Sequence, residues 1–538
     1  MNRLTHTTMA SGRDVGWLLD ARAARRGEHP FLVWEPFVGE RRTWSYREVA
    51  HRTRQLAAGL QRRGLVGGDR VLLHLENTPE FLLAWFACAR IGVVPVCTNT
   101  KSVQAELAYF AEHSGAVAAV TQQPFVALVQ AAAPGMRWIA VVPSDAGSDG
   151  RERAPGSDTF DALYGDADDL ASRSPDAWAP ASVQYTSGTT SRPKAVVWTH
   201  ANCLWAAKVS AAHEALLADD VHLVHLPLFH TNAQSYSVLA SLWAGATIVL
   251  QPKFSASRFW EVSLRNRCTW TSMVPFCNRA LAEREVPKRH DYRYWGSGIR
   301  SRRDDDRFKV HTIAWWGMTE TVTHGIVDDP ADPGAALSCG RPAPEYDIRV
   351  RRENGRAVEP GETGALFVRG VRGLSLFGGY LHDDAATAAA IDSDGWLDTG
   401  DQVTVNLDGS ISFADRIKDV LKVGGENVSA AEVEAACRVP GVREVAVVGG
   451  PHPMLGEVPV VFVVPSEAGV SVADDVLAAC RQRLAPFKVP HAVHLIDELP
   501  RSTMDKIAKA ELRQLLSGSF ADARPQGDAP LPFPSSRD

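Results

Sequence analysis

The residues most clearly able to bind a ligand or take part in a reaction form a hydroxyl-rich stretch in the first half of the chain, VQYTSGTTSRPKAVVWTHAN at 183–202. After a strand-like start come Thr186, Ser187, Gly188, Thr189 and Thr190, and the stretch reaches a cation at Lys194. The N–H and O–H donors of such a loop can wrap a phosphate while the lysine supplies positive charge. It is not a Walker loop, because Pro193 precedes the lysine and the next residues read as a strand. We therefore expect a phosphate site here, with a Ser/Thr-rich surface turn as the alternative.

Further segments that could bind a ligand or take part in catalysis follow along the chain. They are LPLFHTNAQ with His230, YWGSGIRSRR with Gly296, Ser297 and Gly298, WWGMTE with Trp316, Thr319 and Glu320, WLDTGD with Asp401, DRIKDVLKVGGENVSAAEVE with Arg416, Lys418, Gly424 and Gly425, and PRSTMDKIAK with Lys506. Taken singly, His230 would be a packed core residue, Asp401 a turn former and Lys506 a solvated lysine. The ordered set favours function. Position 301 is Ser, so 296–301 fails the G-x-G-x-x-G pattern and hydride transfer is not supported.

The ordered set resembles the motifs of the adenylate-forming superfamily, which contains acyl-CoA synthetases, luciferases and peptide-synthetase adenylation domains. The resemblance extends over roughly residues 15–515. Ser191 and Ala195 stand where the family usually has Gly, which restricts the loop without removing a donor. The Ser191–Arg192 form of the loop is similar to that of ligases of the carnitine/crotonobetaine-CoA type.

The resemblance implies a role for each residue. The hydroxyl loop and Lys194 would bind the β- and γ-phosphates of ATP, and Thr319 would hold the α-phosphate. Trp316 would pack on adenine, and Glu320 would bind Mg²⁺. Asp401 would hold ribose, and Arg416 would reach ribose or phosphate. His230 would border the acyl pocket, and Gly296, Ser297 and Gly298 would line both the adenine and the acyl group. Lys506 would bridge the substrate carboxylate and the α-phosphate. Lys418 would be the pivot about which the C-terminal domain rotates, and Gly424 and Gly425 would line a thiol tunnel.

The reaction implied is ATP-dependent ligation. A carboxylate attacks the α-phosphorus of ATP to give an acyl adenylate and pyrophosphate, and the thiol of coenzyme A then displaces AMP. The expected pocket region is rich in aromatic residues, namely Trp205, Trp243, Trp260, Trp270, Phe276 and Trp295, which favours a small aromatic or aryl-alkenyl acid.

Three alternatives to this reaction stay open. A separate carrier protein could replace coenzyme A as the acceptor. A diazotase could adenylate nitrite and transfer it to an aryl amine. A nucleotide-binding protein could have lost ligation, for which Asp505 is the one hint, since it stands where the family usually has Gly before the lysine.

The elements that must position these residues alternate between helix and strand patterns. Helical spacing at 46–64 and 78–92 encloses a strand-like run at 69–75, which predicts an α/β layered body with largely parallel strands. A β-rich segment follows at 362–423, and a small α/β unit begins near Glu432. We expect an N-terminal ATP- and acyl-binding domain (1–415), a hinge (416–418), a mobile C-terminal domain (419–517) and a disordered tail (518–538).

Composition excludes several classes of protein. The 538 residues carry 57 basic and 63 acidic side chains, a net charge of −6, which provides no global attraction for nucleic acid. No apolar run approaches the roughly 20 residues that cross a bilayer, and no secretion signal is recognised, so we expect no membrane span and a cytoplasmic location. The eight cysteines lack C-x-x-C spacing and read as reduced core thiols. Nothing in the sequence indicates the oligomeric state.

Overall fold

The computed structural model describes residues 10–143, 155–186, 193–416, 420–466, 472–500, 507 and 509–519. The chain forms two compact units. The larger is made of Met1–Thr100, Leu107–Thr186 and Lys194–Ile417, and the smaller of Lys101–Glu106, Ser187–Pro193 and Lys418–Asp538. Because residues 417–419 lie outside the described ranges, the hinge at 416–418 stays a prediction.

The helices of the described residues are numbered in chain order. They are α1 Val15–Arg26, α2 Tyr46–Arg62, α3 Pro79–Ile91, α4 Gln104–Ser114, α5 Val126–Ala132, α6 His200–His213, α7 Ala240–Ala244, α8 Phe259–Arg265, α9 Pro275–Ala282, α10 Arg302–Phe308, α11 Asp384–Ala390, α12 Ala430–Cys437, α13 Ala473–Arg483 and α14 Lys509–Ser519. A π-helix, Asn232–Leu239, runs directly into α7. Among all the residues that the structure describes, no helix is long and apolar enough to cross a membrane.

The strands are numbered in the same way. They are β1 Pro30–Trp34, β2 Arg42–Ser45, β3 Arg70–His74, β4 Val94–Cys97, β5 Ala118–Gln122, β6 Ile139–Val142, β7 Asp158–Thr159, β8 Pro180–Thr186, β9 Lys194–Thr199, β10 Val221–Val224, β11 Thr247–Leu250, β12 Trp270–Ser272, β13 Tyr294–Ser297, β14 His311–Gly317, β15 His324–Val327, β16 Arg341–Pro342, β17 Asp347–Arg351, β18 Thr363–Arg369, β19 Gly379–Tyr380, β20 Trp396–Val405, β21 Ile411–Arg416, β22 Val420–Val423, β23 Glu426–Ser429, β24 Val442–His452, β25 Gly456–Pro465 and β26 Ala492–Leu495.

The first large sheet confirms the predicted α/β alternation. Its order is β19-β9-β8-β4-β3-β5-β6-β7, and every pairing from β8 to β7 is parallel. The helices begin where the sequence signals them. The Thr78 side chain accepts from the N–H of Phe81 and Pro79 fills the first helical position of α3, while Ser45 and Glu48 form a capping box on α2.

The second large sheet has the order β16-β15-β14-β13-β12-β10-β11-β1-β2, and its pairings from β14 to β1 are parallel. One hydrophobic core contains residues of both large sheets, such as Leu73 of β3 and Leu223 of β10. A four-stranded antiparallel sheet, β17-β18-β20-β21, completes the larger unit and corresponds to the β-rich segment of the sequence.

The smaller unit is built on the sheet β23-β22-β25-β24, with β26 paired to β25. Alternate residues of β25 enter opposite cores, because successive side chains of a strand point to opposite faces. Val461 packs in the core that contains residues of α12 and α13, and Phe462 packs with Leu512 of α14. Helix α14 ends at Ser519, two residues inside the tail predicted from position 518.

All eight cysteines are buried and none forms a disulfide, in agreement with the prediction of reduced core thiols. Two of them meet nonetheless. Cys437 of α12 and Cys480 of α13 place their sulfur atoms 3.5 Å apart, although 43 positions separate them in the chain.

Candidate active site

The hydroxyl-rich stretch joins the two strands of a hairpin. Thr186, the last residue of β8, is paired with Lys194, the first residue of β9, in an antiparallel ladder. The strand after the lysine is the feature that separates this loop from a Walker loop, in which a helix follows. Of the predicted loop donors, Ser187, Gly188, Thr189 and Thr190 lie outside the described residues.

A short chain of contacts connects Lys194 with Glu320 through Tyr380. The Lys194 ammonium lies 4.7 Å from the centre of the Tyr380 ring, in cation–π geometry. The Tyr380 hydroxyl donates to Glu320 Oε1 at 2.9 Å. Tyr380 reaches this position because Gly379 and Tyr380 form the short edge strand β19, paired with β9 at Val197 and Val196.

The protonation of the Tyr380–Glu320 contact follows from the burial of both side chains. Tyr380 and Glu320 are both buried, at 9% and 5% exposure. Burial, together with the neighbouring Glu320 carboxylate, raises the pKa of the Tyr380 hydroxyl. The phenol therefore stays protonated and donates, which leaves Glu320 as the acceptor in this contact.

Thr319, next to Glu320, is held from two sides. Its carbonyl oxygen accepts the indole N–H of Trp198 at 2.8 Å, and Trp198 is fully buried. Its hydroxyl oxygen lies 3.0 Å from the hydroxyl oxygen of Thr231, which donates to Gln184 Oε1 at 3.0 Å. Strands β8 and β9 thus fix the residue predicted to hold the α-phosphate.

Trp316 and Asp401 meet although they belong to different sheets. The Trp316 indole N–H donates to Asp401 Oδ2 at 2.8 Å. Asp401 is buried, and its backbone pairs with that of Arg416 across β20 and β21. The residues predicted to hold adenine and ribose are therefore adjacent, with Arg416 opposite Asp401 in the ladder.

The glycine-rich strand end is covered by a neighbouring tryptophan. Gly296 and Ser297 end β13, and a Cβ added at Gly296 would lie 1.7 Å from the Trp315 ring. An added Cβ at Gly298 would meet nothing within 4 Å among the described atoms. The glycine at 296 is needed for the indole to lie against the strand. His230 is half-buried, with its ring centre 4.6 Å from that of Phe229.

Half of the aromatic residues that favoured an aryl pocket are core residues, and the other half are partly buried against the core. Trp270 and Trp295 are almost fully buried, and Trp260 packs with Trp295 and Tyr292 in an aromatic cluster. Trp243 lies beside the guanidinium of Arg22. The remaining members also contact core residues, namely Trp205 with Tyr346 and Phe276 with Phe254. Of the six, Trp270 alone is in ring contact with Trp315, the tryptophan that covers Gly296, with ring centres 6.0 Å apart.

The predicted thiol-tunnel glycines form a tight turn in the smaller unit. Gly424 and Gly425 connect β22 and β23 with φ angles of 58° and 95°, values that favour glycine. The predicted pivot Lys418 and the predicted adenylation lysine, Lys506, lie outside the described residues.

The donor set fits a magnesium ion shared with phosphate. Glu320 offers a buried carboxylate, and no three His, Cys, Asp or Glu side chains converge into a metal site within the described ranges. Mg²⁺ commonly takes one or two carboxylates and completes its octahedron with water and substrate phosphates. A single carboxylate connected through Tyr380 with Lys194, at the end of the predicted phosphate loop, meets that requirement.

Sequence reasoning missed two residues of this site. Tyr380 lies in GGY, and Trp198 lies in the strand after the loop, and neither belongs to a pattern that carries chemistry on its own. The one sequence signal for Tyr380 is the glycine pair before it, which permits close approach of β19 to β9.

The fold and the site together define an adenylate-forming enzyme. The profile of the AMP-binding enzyme family matches residues 19–381, and that of the AMP-binding enzyme C-terminal domain matches 432–506. The chain belongs to this family. A crotonobetaine/carnitine–CoA ligase of Salmonella arizonae is 32% identical over 522 residues, which are 94% of this chain and 100% of the relative.

Solved structures agree with this assignment. The o-succinylbenzoate CoA synthetase (MenE) of Bacillus subtilis, bound to a product analogue, superposes with a TM-score of 0.77 at 27% identity, covering 92% of this chain and 98% of the other. A fatty acyl CoA synthetase of Mycobacterium tuberculosis gives 0.64 at 27% identity, with 94% and 98% coverage. The chain is an adenylate-forming ligase of the acyl-CoA synthetase type, a class that uses ATP, Mg²⁺ and coenzyme A and forms AMP and pyrophosphate.

Proposed function

We propose that the enzyme activates a small carboxylic acid, aromatic or aryl-alkenyl, as its acyl adenylate and transfers the acyl group to coenzyme A. The observation that carries the proposal is the contact chain Lys194–Tyr380–Glu320. It sets a cation over the ring and a carboxylate at the hydroxyl of one tyrosine, an arrangement suited to phosphates that share a divalent ion. The names of the relatives, which include a carnitine ligase and a succinylbenzoate synthetase, support an acid as the group activated.

Each described residue has a task that follows from its chemistry. Lys194 stabilises the negative charge that collects on the leaving pyrophosphate, and the Thr319 hydroxyl donates to an oxygen of the α-phosphate. Trp316 offers its indole face to adenine, and Asp401 accepts from the ribose hydroxyls. Mg²⁺ bound at Glu320 would offset the charge of the phosphates while the carboxylate attacks.

The smaller unit supplies the remaining groups apart from Arg416, which belongs to the larger unit and contacts ribose or phosphate in this proposal. Lys506 bridges the substrate carboxylate and the α-phosphate during adenylation. Rotation about Lys418 then withdraws Lys506 and brings Gly424 and Gly425 to the thiol. Buried free cysteines are typical of a reducing compartment, which supports a cytoplasmic location.

Pyrophosphate release and acyl-CoA formation test the proposal directly. Purified enzyme is incubated with ATP, Mg²⁺ and each of a panel of benzoates and cinnamates, with and without coenzyme A. At least one acid should give pyrophosphate, and its acyl-CoA should form only when coenzyme A is present.

Two further arms distinguish the other acceptors. Nitrite with an aryl amine in place of the acid tests for diazotisation, and a phosphopantetheinyl carrier protein replaces coenzyme A in the second arm. If nitrite alone supports pyrophosphate release, the proposal is wrong in its substrate. If only the carrier accepts the acyl group, it is wrong in its acceptor.

A further inference from the structure

A carboxylate and an imidazole are buried together behind the candidate active site. Glu214 follows the last residue of α6, and His324 is the first residue of β15. Glu214 Oε1 and His324 Nε2 are 3.9 Å apart, and both side chains have 0% exposure.

Neither group is satisfied by the residues that the structure describes. Both carboxylate oxygens of Glu214 and both ring nitrogens of His324 lack a hydrogen-bond partner among the described residues. Burial raises the pKa of Glu214 well above its usual value, and burial together with His213 lowers that of His324. Four unpaired polar atoms in one place are unusual, because a buried polar atom without a partner costs about 1–3 kcal/mol.

Tyr236 connects this pair to the active site. Its ring centre lies 4.1 Å from that of His324. Its hydroxyl lies against Gly317, where an added Cβ would be 2.6 Å away, and Gly317 is two residues before Thr319. Tyr236 also belongs to the π-helix Asn232–Leu239, which begins two residues after His230, and π-helical turns are frequent at functional sites.

Trp315 connects the same pair to the glycine-rich strand end. Its ring stacks on that of His324 at 4.4 Å and covers Gly296. His324 is thus in ring contact with two side chains next to the segments expected to border the acyl group: Tyr236, which follows His230 in the chain, and Trp315, which covers Gly296. Through Tyr236 and Trp315, the unsatisfied pair is connected with the residues expected to border the acyl group.

We infer that the acid substrate carries an amino group remote from its carboxylate, and that Glu214 and His324 accept its N–H bonds. The inference rests on the proposed function. An amino group offers at least two donors to two adjacent acceptors, which a methyl group cannot and a hydroxyl can do only once. Tyr236 and Trp315 supply aromatic faces on which an aryl ring carrying that group would pack.

Matched acids test this inference with the wild-type enzyme. Aminobenzoates and aminocinnamates are compared with the corresponding methyl acids of similar size, by kcat/KM for pyrophosphate release. We expect the kcat/KM of the amino-substituted acid to exceed that of its methyl partner by about tenfold or more in at least one pair. Sites built to hydrogen-bond a group discriminate strongly against analogues that lack it. If active pairs all show ratios near one, the inference is wrong. If no acid of any kind reacts, the proposed function fails instead.

Two carboxylate variants locate the effect. Glu214→Leu removes both acceptor oxygens of Glu214, whereas Gln would keep one, and should reduce the amino-over-methyl ratio by about tenfold while the methyl acids react as before. Glu345→Leu is the control, because Glu345 belongs to the same region but pairs with His213 at 3.0 Å and is partly exposed. Equal loss for both acids in Glu214→Leu, with an unchanged thermal midpoint, would assign Glu214 a structural role and overturn the inference.

Discussion

The substitution Tyr380→Phe removes the hydroxyl that donates to Glu320 Oε1 and keeps the ring that lies 4.7 Å from Lys194. Because a hydrogen bond to a charged group contributes about 1.5–3 kcal/mol, its loss from this buried pair corresponds to roughly a tenfold to hundredfold change in affinity. Groups that orient a metal ligand show the same range when mutated. We expect a change near tenfold, since Phe preserves the packing around the carboxylate.

The assay is the rate of pyrophosphate release as a function of Mg²⁺ concentration at fixed ATP and saturating acid. The half-saturating Mg²⁺ concentration should rise about tenfold in Tyr380→Phe, while the KM of the acid stays at the wild-type value. Tyr380→Leu also loses the cation–π contact with Lys194, worth about 1 kcal/mol, and should weaken ATP further.

Tyr46→Phe provides the matched control. The Tyr46 hydroxyl is buried and donates to the Ala246 carbonyl at 2.6 Å, so this variant also loses one buried tyrosine hydrogen bond. Its Mg²⁺ profile should equal that of the wild type. A Tyr380→Phe profile that coincides with the wild type, or a KM of the acid that rises as much as the Mg²⁺ requirement, would refute the positioning role of Tyr380.

Three other measurements check separate parts of the account. Asp401→Asn should raise the KM for ATP about tenfold without changing that of the acid, because one charged acceptor for ribose is lost. Lys506→Ala should slow adenylation by several kcal/mol of barrier, about a thousandfold, yet leave thioester formation from preformed acyl adenylate nearly unchanged; equal loss in both half-reactions would contradict the two-state use of the small unit. Burial lowers the pKa of His74 to about 4, so the unfolded chain binds more protons between pH 6.5 and 4 and the free energy of unfolding falls as the pH falls. At pH 5 the buried His74 lowers the free energy of unfolding by about 2 kcal/mol relative to neutral pH. Urea titrations should therefore show a smaller difference in the free energy of unfolding between pH 7 and pH 5 for His74→Gln than for the wild type.

Local signals predicted the architecture well. The start of α3 could be read from Thr78 and Pro79, since capping and the fixed φ of proline act within one turn. The parallel strands of the first sheet were predicted because strands covered on both faces are continuous apolar runs, as in VLLH at 71–74. Such features depend only on neighbours in the chain.

The meeting of distant residues could not be read in this way. Trp316 and Asp401 are 85 positions apart and lie in different sheets, so their hydrogen bond depends on how the sheets pack. Tyr380 approaches Glu320 only because an edge strand of two residues pairs with β9. Neither pairing leaves a periodic trace in the sequence.

The aromatic residues show the same limit in another form. Their positions in the sequence predict Trp270 and Trp295 as pocket residues, but both are almost fully buried. Trp315, for which the sequence predicts no role, is the indole that covers Gly296. A tryptophan fits a core as well as a binding pocket, and sequence alone does not distinguish the two. The unsatisfied pair Glu214 and His324 was invisible for the same reason, since burial is a property of the fold.

The pairing of Asp401 with Arg416 determines where the chain can change in length. Because side chains alternate along a strand, one inserted residue between Trp396 and Asp401 would turn the Asp401 carboxylate to the opposite face of the sheet, away from Trp316. The turn at 406–410, which joins β20 to β21 and carries the exposed Leu407, lies beyond this constraint. Insertions that accumulate among natural variants, or that are introduced to attach a tag or a second domain, should therefore be tolerated at this turn and excluded from the five residues before Asp401.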